Sequence, residues 1–566
     1  MSFVRSILSL VPMKPGGTPP RCSPNSGRKA LCSAAPFLVG LIAIASAICP
    51  AAAQQPAPAA GEPVRGGTLT MTVNPEPPYM LSAINPLLQM GMLTTKVMEG
   101  LLTYDFNLNP RPQLAESWQV SPDGLTYTFN LRKGVKWHDG KDFTAADVEY
   151  SLNKAWKPLH ARGRNTFAKV VAVETPNPLT VVIKLSEPTP MMLAALSSYE
   201  SQVIPKHVFD NTDIASNAAV NAPIGTGPFV FKEWKKGNHV IVERNPNYWD
   251  PGKPYLDRVV FRFINDASSR AAALESGEVQ VGGLSPVPLN DVVRLSKLPN
   301  LAVETRGYEY MSPVYLLEVN IRRAPFSDVR VRRALAHAID RNVLMRTVWF
   351  GFGVPATSPV PTSIKKFHSP PADVQYPYDL KKAEALLDEA GLKRGADGKR
   401  FKMTLDFQPF GTDYQRSAEF LKQQLGRVGV DVEIRSQDFP TYVRRIYTDY
   451  DYDVTLGYYG AFPDPQQGLQ RIFWSKAAGK GVPFTNSNDY KSPAMDRVLE
   501  AAQTENDPKK RFELYVEMQR LAMTELPVVP LMEMKFFTIA SKRLMNHTVT
   551  ADGIIGGNFA SAWLAK

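Results

Sequence analysis

The side chains best suited to catalysis or metal binding are few and scattered in this chain of 566 residues. Its seven histidines stand at 138, 160, 207, 239, 337, 368 and 547. No two are two to four residues apart, the spacing at which a helix or turn turns a pair of imidazoles toward one metal ion. The three cysteines, Cys22, Cys32 and Cys49, all lie in the first 49 residues. None of the patterns G-x-S-x-G, H-E-x-x-H or G-x-x-x-x-G-K-[ST] occurs, so a nucleophile elbow, a helical zinc pair and a phosphate-cradling loop are all missing. Gly351-Phe352-Gly353 runs into Pro355 rather than a helix and reads as a loop, not a dinucleotide turn. A catalytic site assembled from distant residues would escape such a search. The residues alone place a binding protein ahead of an enzyme, with no metal and no cofactor expected.

The elements that would position a site begin after a leader. A basic, acid-free lead is followed by the apolar run Phe37–Ala45 and then Ala51-Ala52-Ala53, the pattern of a secretory signal peptide cut after Ala53. The apolar run is too short for a permanent span, which needs ~20 residues. Ile48 precedes Cys49 where a lipid-anchor motif wants a small residue, so a soluble product is expected; Met13 is an alternative start. The exported chain would then be cysteine-free, with no disulfide and no thiolate metal site. The first 53 residues carry five basic side chains and no acid, so removing them lowers the formal charge from +11 to +6. That is mild for this length and gives no reason to expect nucleic acid. Residues 54–63, QQPAPAAGEP, form a flexible linker.

Leu69, Met71 and Val73 alternate as a strand. Ser121-Pro122-Asp123-Gly124 is a type I turn signal, and Leu125, Tyr127, Phe129 and Leu131 then alternate as a half-buried antiparallel strand. Thr144-Ala145-Ala146-Asp147 resembles a capping box opening a helix toward Trp156. Later the pattern changes. Met403, Leu405 and Phe407 alternate; Tyr414, Ala418, Leu421 and Leu425 follow helical spacing; Val430, Val432 and Ile434 alternate again. This is a strand–helix–strand unit of a mainly parallel sheet. Two more amphipathic helices carry Val331, Leu335, Ala338 and Ile339, opened by Ser327 or Asp328, and Ala383, Leu386, Leu387 and Ala390, between Asp379 and Gly391. The class is α/β, with hairpins early and parallel units late.

Leu114–Trp137, LAESWQVSPDGLTYTFNLRKGVKW, resembles the signature segment of the family 5 extracellular solute-binding proteins, the dipeptide-, oligopeptide- and nickel-binding components of ABC importers. GKDFTAADV (140–148), GTGPF (225–229), RNPNYW (244–249), FSDVRVRRALAHAIDR (326–341) and GYYGAFPDP (457–465) follow in order. The resemblance implies a type II periplasmic binding protein fold of two hinged lobes. Carried onto this chain, the first lobe takes residues 64–100, 224–314 and 528–566, an extra subdomain takes 101–223, and the second lobe takes 315–527. Gly225–Pro228 is expected to be a tight crossing, Asp464-Pro465 a helix cap, and His138-Asp139 and Arg330/Arg332/Arg333 solvated or capping charges.

One departure bears on the ligand. Where peptide-binding members carry an aspartate that pairs with the peptide ammonium, this chain has Ala461. The loop Tyr458-Tyr459-Gly460-Ala461-Phe462 is aromatic and uncharged up to Asp464, a wall suited to stacking or cation–π contact. Arg416 falls where peptide-binding relatives use an arginine for the ligand carboxylate, and Tyr79 is a candidate for the first-lobe side. The expected ligand-binding set is therefore Tyr458, Tyr459, Gly460, Ala461, Arg416 and Tyr79. The expected function is a monomeric periplasmic receptor that captures a small solute, peptide-like or otherwise derived from amino acids or sugars, between closing lobes and delivers it to a membrane permease. Ordinary di- and tripeptides are expected to bind poorly. A secreted hydrolase or transferase and a metal-chelate receptor stand as alternatives. N-terminal sequencing of the exported protein is expected to begin near Gln54; an acylated Cys49 at the terminus would refute that processing.

Overall fold

The computed structural model describes residues 61–566. The leader, Cys49 and most of the linker lie outside them. Two large sheets organise the chain. A seven-stranded sheet runs in the order Leu301–Glu304, Thr538–Ser541, Val281–Gly282, Thr68–Val73, Arg258–Phe263, His239–Arg244, Phe229–Lys235. Its central strand Thr68–Val73 buries Leu69, Met71 and Val73 on one face and Thr72 on the other, and pairs in parallel with both neighbours. A six-stranded sheet runs Gly353–Pro355, Val528–Met534, Ser312–Val319, Val454–Ala461, Phe401–Phe407, Val430–Arg435.

A third, four-stranded antiparallel sheet holds Ala115–Val120, Thr126–Leu131, Thr180–Leu185 and Val170–Asn177. Its first hairpin closes through the anticipated turn, with the Gly124 N–H donating to the Ser121 carbonyl at 2.8 Å. The capping box forms: the Thr144 N–H donates to Asp147, 2.9 Å, and Ala145–Tyr150 continues helically to Trp156. The parallel unit forms as Phe401–Phe407, helix Thr412–Arg427 and Val430–Arg435. Asp328 caps Val329–Ala338, and Asp379 caps Leu380–Glu389.

Strand pairing alters the expected division at two points. Residues 312–314 and 528–534, assigned by sequence to the first lobe, belong to the six-stranded sheet, because Ser312–Val319 and Val528–Met534 pair with each other. The chain leaves the first sheet after Glu304 and returns to it at Thr538. Such crossings are short irregular stretches with no change of composition, so sequence locates them poorly.

The separated motifs converge on one buried carboxylate. Glu99 accepts from the Tyr248 hydroxyl and Trp249 indole, both at 2.8 Å, from Thr226 at 3.0 Å, Asn558 at 3.1 Å and Gln113 at 3.3 Å. Burial raises its pKa, and the donors pull it back only in part. Beside it, Gly227 N–H donates to the Val97 carbonyl at 2.9 Å. A Cβ at Gly225 would collide with that same carbonyl, so only glycine permits the approach. This is the expected tight crossing.

The sequence reading makes His138 a solvated or capping charge; it is instead buried and neutral and clamps this crossing. Its Nε2 donates to the Gly227 carbonyl at 3.0 Å, and its Nδ1 accepts from the Gly225 N–H at 3.2 Å. The neutral tautomer is thereby set, and burial pushes the pKa down to about 4. Arg332 is likewise buried, donating to the carbonyls of Glu525, Leu526, Phe326 and Ser327. Arg330 does stay exposed against Asp328. Sequence could not tell these arginines apart, because a guanidinium that bonds backbone carbonyls resembles one that bonds water.

Below its ordinary value of 6.5 the unfolded His138 takes up a proton that the folded one refuses until pH nears 4. Its stabilising contribution is complete above 6.5 and is lost as pH falls through that window. Urea titrations of wild type and His138→Asn are expected to differ by about 2 kcal/mol in the stability lost between pH 7 and pH 5. Equal slopes would show that His138 is not held neutral.

Candidate functional site

Strand Val454–Ala461 leads into the loop of the expected site, and its alternation sends the two tyrosines opposite ways. Tyr459 is buried. Its hydroxyl donates to Glu318 and shares a 3.0 Å bond with Tyr447. Glu318 also accepts from Ser487 and from Tyr452 at 3.3 Å. Burial raises the Glu318 pKa against these donors. Tyr459 is thus committed to a buried network inside the second lobe. Tyr458 is half-buried, edge-on to Phe536 at 5.8 Å and tilted on Phe410 at 5.9 Å. No side-chain hydrogen bond from its hydroxyl occurs among the described residues, and burial pushes its pKa up to about 12, with Tyr199 of the extra subdomain adding to the shift.

Gly460 lies under Met311, and Ala461 is fully buried in the second core cluster. A carboxylate at 461 would therefore enter an apolar cluster. Arg416 is exposed on helix Thr412–Arg427, and Tyr79 is half-buried against the main core. No hydrogen bond, ion pair or ring contact joins either to 458–461 among the described residues.

Sequence did not single out what stands across the seam. Arg162 of the extra subdomain grips Glu200 with two parallel bonds, one of 2.8 Å. Its guanidinium lies 4.7 Å from the Phe462 ring of the second lobe and 5.4 Å from Tyr199. Tyr310 meets Phe462 edge-on at 6.3 Å. After Phe462 the chain turns into helices Pro465–Gly468 and Gln470–Phe473, whose Arg471 lies within electrostatic reach of Arg162, Glu200, Tyr459 and Tyr447. The only sequence signal for Gln467, Gln470 and Arg471 was a polar stripe at helical spacing, which ordinarily marks a wet face.

Asp464 takes the expected capping role and a second one. It accepts from the Gln466 N–H at 3.0 Å and forms a bidentate pair with Arg511, the two side chains each 5% exposed, with Tyr515 at 3.3 Å. The pair raises the Arg511 pKa. A cavity of about 400 Å³ opens beside it, between Tyr104–Pro110 and Lys365–Phe367. Its one buried charge pair is already satisfied. Among the described residues no cluster of three or more His, Cys, Asp or Glu could hold a metal ion, and no helix is long and apolar enough to cross a membrane.

Two α/β lobes, one carrying an extra antiparallel subdomain, with a seam lined from both sides, define a solute-binding protein of the type II periplasmic class. Residues 109–480 match the family described as bacterial extracellular solute-binding proteins, family 5, and the chain belongs to that family. It is 31% identical over 475 residues to the glutathione-binding protein GsiB of Salmonella typhimurium, spanning 80% of this chain and 86% of the relative. It resembles the periplasmic binding protein DppA of Helicobacter pylori in complex with peptide STSA, at 28% identity and TM-score 0.72, over 89% of this chain and 99% of the other. It also resembles AgaA of A. tumefaciens in complex with agropinic acid, at 27% identity and TM-score 0.72, over 88% and 99%. The protein is a solute-binding receptor of the ABC-importer type, and the hydrolase, transferase and metal-chelate alternatives are not favoured.

Asp464→Ala is expected to lower unfolding stability by about 3–5 kcal/mol, since it leaves Arg511 buried without its partner and uncaps the helix. Urea denaturation measures it; a loss under about 1 kcal/mol would be that of a surface pair and would release Asp464 as a possible ligand contact.

Proposed function

We propose that the chain is exported to the periplasm as a soluble monomer, captures a small amino-acid-derived solute between its lobes and presents the closed form to a membrane permease, without turnover. The observation that carries this is the seam itself: Tyr458 and Phe462 from the second lobe face Tyr199 and the Arg162–Glu200 pair from the extra subdomain. Rings and a held guanidinium suit a solute with planar or apolar parts between charged ends.

The ligand class is narrowed by which acids are available. Glu200 is taken by Arg162, Glu318 by three hydroxyls, and Asp464 by Arg511. With Ala461 buried, none of these three acids is free to meet an α-ammonium at this seam. A buried ammonium without a counter-charge is costly, which supports weak binding of ordinary di- and tripeptides. The relatives named above bind glutathione, a peptide and agropinic acid, all carboxylate-bearing, which supports an acidic amino-acid derivative as cargo.

Half-buried Trp474 closes the helix that carries Arg471 and is a natural fluorescence reporter. Titration with glutathione or agropinic acid is expected to give a saturable emission change with no product formed, and small-angle scattering a smaller radius of gyration at saturation. A ligand at a hundredfold excess over Kd stabilises by about 2.7 kcal/mol, a visible rise in Tm. Identical scattering with and without a saturating ligand would rule out capture by closure.

A further inference from the structure

Four buried side-chain atoms on one short helical stretch find no hydrogen-bond partner among the described residues: Nε2 and Oε1 of Gln467, Oε1 of Gln470 and Nε of Arg471. Buried polar groups are almost always bonded, so four orphans together require an explanation. The residues are spaced i, i+3 and i+4 and share one helical face. The opposite face, with Leu469, Ile472 and Phe473, packs into the second lobe's core. Yet Gln467 is 7% exposed and Gln470 6%. Helix Pro493–Thr504 of the same lobe packs on both short helices and touches Pro190–Ala195 of the extra subdomain, whose Arg162 and Glu200 lie within electrostatic reach of Arg471.

The two arginines at this seam differ. Arg162 holds Glu200, whereas Arg471 forms no ion pair among the described residues. Arg471 is half-buried, and its partial burial and the neighbouring Arg162 both disfavour its charge. An arginine so placed calls for an anion, and its planar fork fits a carboxylate through two parallel bonds.

We propose that Gln467, Gln470 and Arg471 form the specificity-determining face of the ligand site, where Arg471 takes a carboxylate of the bound solute and the two glutamine amides take its flanking carbonyl and N–H groups. This rests on the receptor reading above and moves the carboxylate contact from the exposed Arg416 to a residue that sequence comparison within peptide-binding relatives did not suggest. The helix follows directly on Ala461, so an anion-reading face stands beside the position that lacks an ammonium-reading carboxylate. The site selects the acidic end of its solute rather than the amino end.

The test uses the full chain exported to the periplasm, purified and freed of endogenous solute. Probes are glutathione, agropinic acid and peptide STSA, with glutathione diethyl ester and STSA amide as counterparts lacking the carboxylates. Calorimetry is expected to show at least one acid binding wild type, with Arg471→Met weakening it by about thirtyfold or more, as for loss of a buried charge-assisted contact. Arg471→Lys should recover part of the loss, and Gln470→Leu should show a smaller one. The ester or amide should bind wild type weakly and Arg471→Met no worse. Ligand-free Arg471→Met should melt no lower than wild type, because it loses an unpaired charge, which separates lost recognition from lost folding. Equal affinity of wild type and Arg471→Met for an acid would overturn the inference, as would an ester bound as tightly as its acid. So would an uncharged solute found by mass spectrometry of protein from its native periplasm. Those outcomes leave the receptor intact; no bound solute and no compaction with any probe would overturn the receptor reading itself.

Discussion

The Glu99 carboxylate is the constraint on which the first lobe and its extra subdomain both depend. Its five donors come from residues 113, 226, 248, 249 and 558, segments remote in sequence. A buried carboxylate is tolerable only when its lone pairs are met, and losing any one partner leaves charge or a donor stranded. The stretch just before Glu99 is also where the Gly225–Gly227 crossing lies against Val97, with His138 holding both glycines through one neutral tautomer. The chain passes back from subdomain to lobe at this crossing. Its rigidity is what allows Arg162, Tyr199 and Glu200, 25 or more residues upstream of it, to stand at a definite place across the seam.

In the second lobe, buried polar networks do similar work and engage three of its acids. Glu318 is met by three hydroxyls, Asp464 by Arg511 and Tyr515, and Asp406 by Arg435 and Arg445. Each network rigidifies the elements around the seam and removes one negative charge from availability. On the Gln467–Arg471 stretch, the buried polar atoms without partners among the described residues belong to two amides and a guanidinium. The electrostatic character of the site is therefore set as much by what is already paired as by what lines it. An acid in a sequence signals a cation partner only if the fold leaves it unengaged, and here the nearest acid to the loop, Asp464, serves a helix cap and a buried arginine.

The family assignment and the seam fit together through the position of the departure. Relatives named for glutathione, a peptide and agropinic acid share the fold at similar distances, so fold alone does not choose a cargo. On the proposal above, the choice lies in a few side chains between the end of strand Val454–Ala461 and residue 473. There an alanine sits inside the lobe's apolar cluster, and two buried glutamine amides and the Arg471 Nε stand without partners among the described residues.

Local patterns were legible because their causes are local. The alternation at Leu69, Met71 and Val73, the turn at Ser121–Gly124, the capping box at Thr144–Asp147 and the strand–helix–strand unit from Phe401 to Arg435 depend on spacing and short-range bonds, and the structure repeats them. The ordered motifs likewise revealed the family, and Asp464-Pro465 its helix cap. What depends on partners from distant segments was not legible. Sequence alone did not separate buried Arg332 from exposed Arg330, or send Tyr458 to the seam and Tyr459 to Glu318. The crossings near residues 305–311 and 535–537 left no compositional mark, and the Gln467–Arg471 stripe looked like any solvated helix face. Spacing tells which residues share a face; only the tertiary structure decides whether water, a core or another lobe covers it, and burial is what leaves a polar stripe in need of partners.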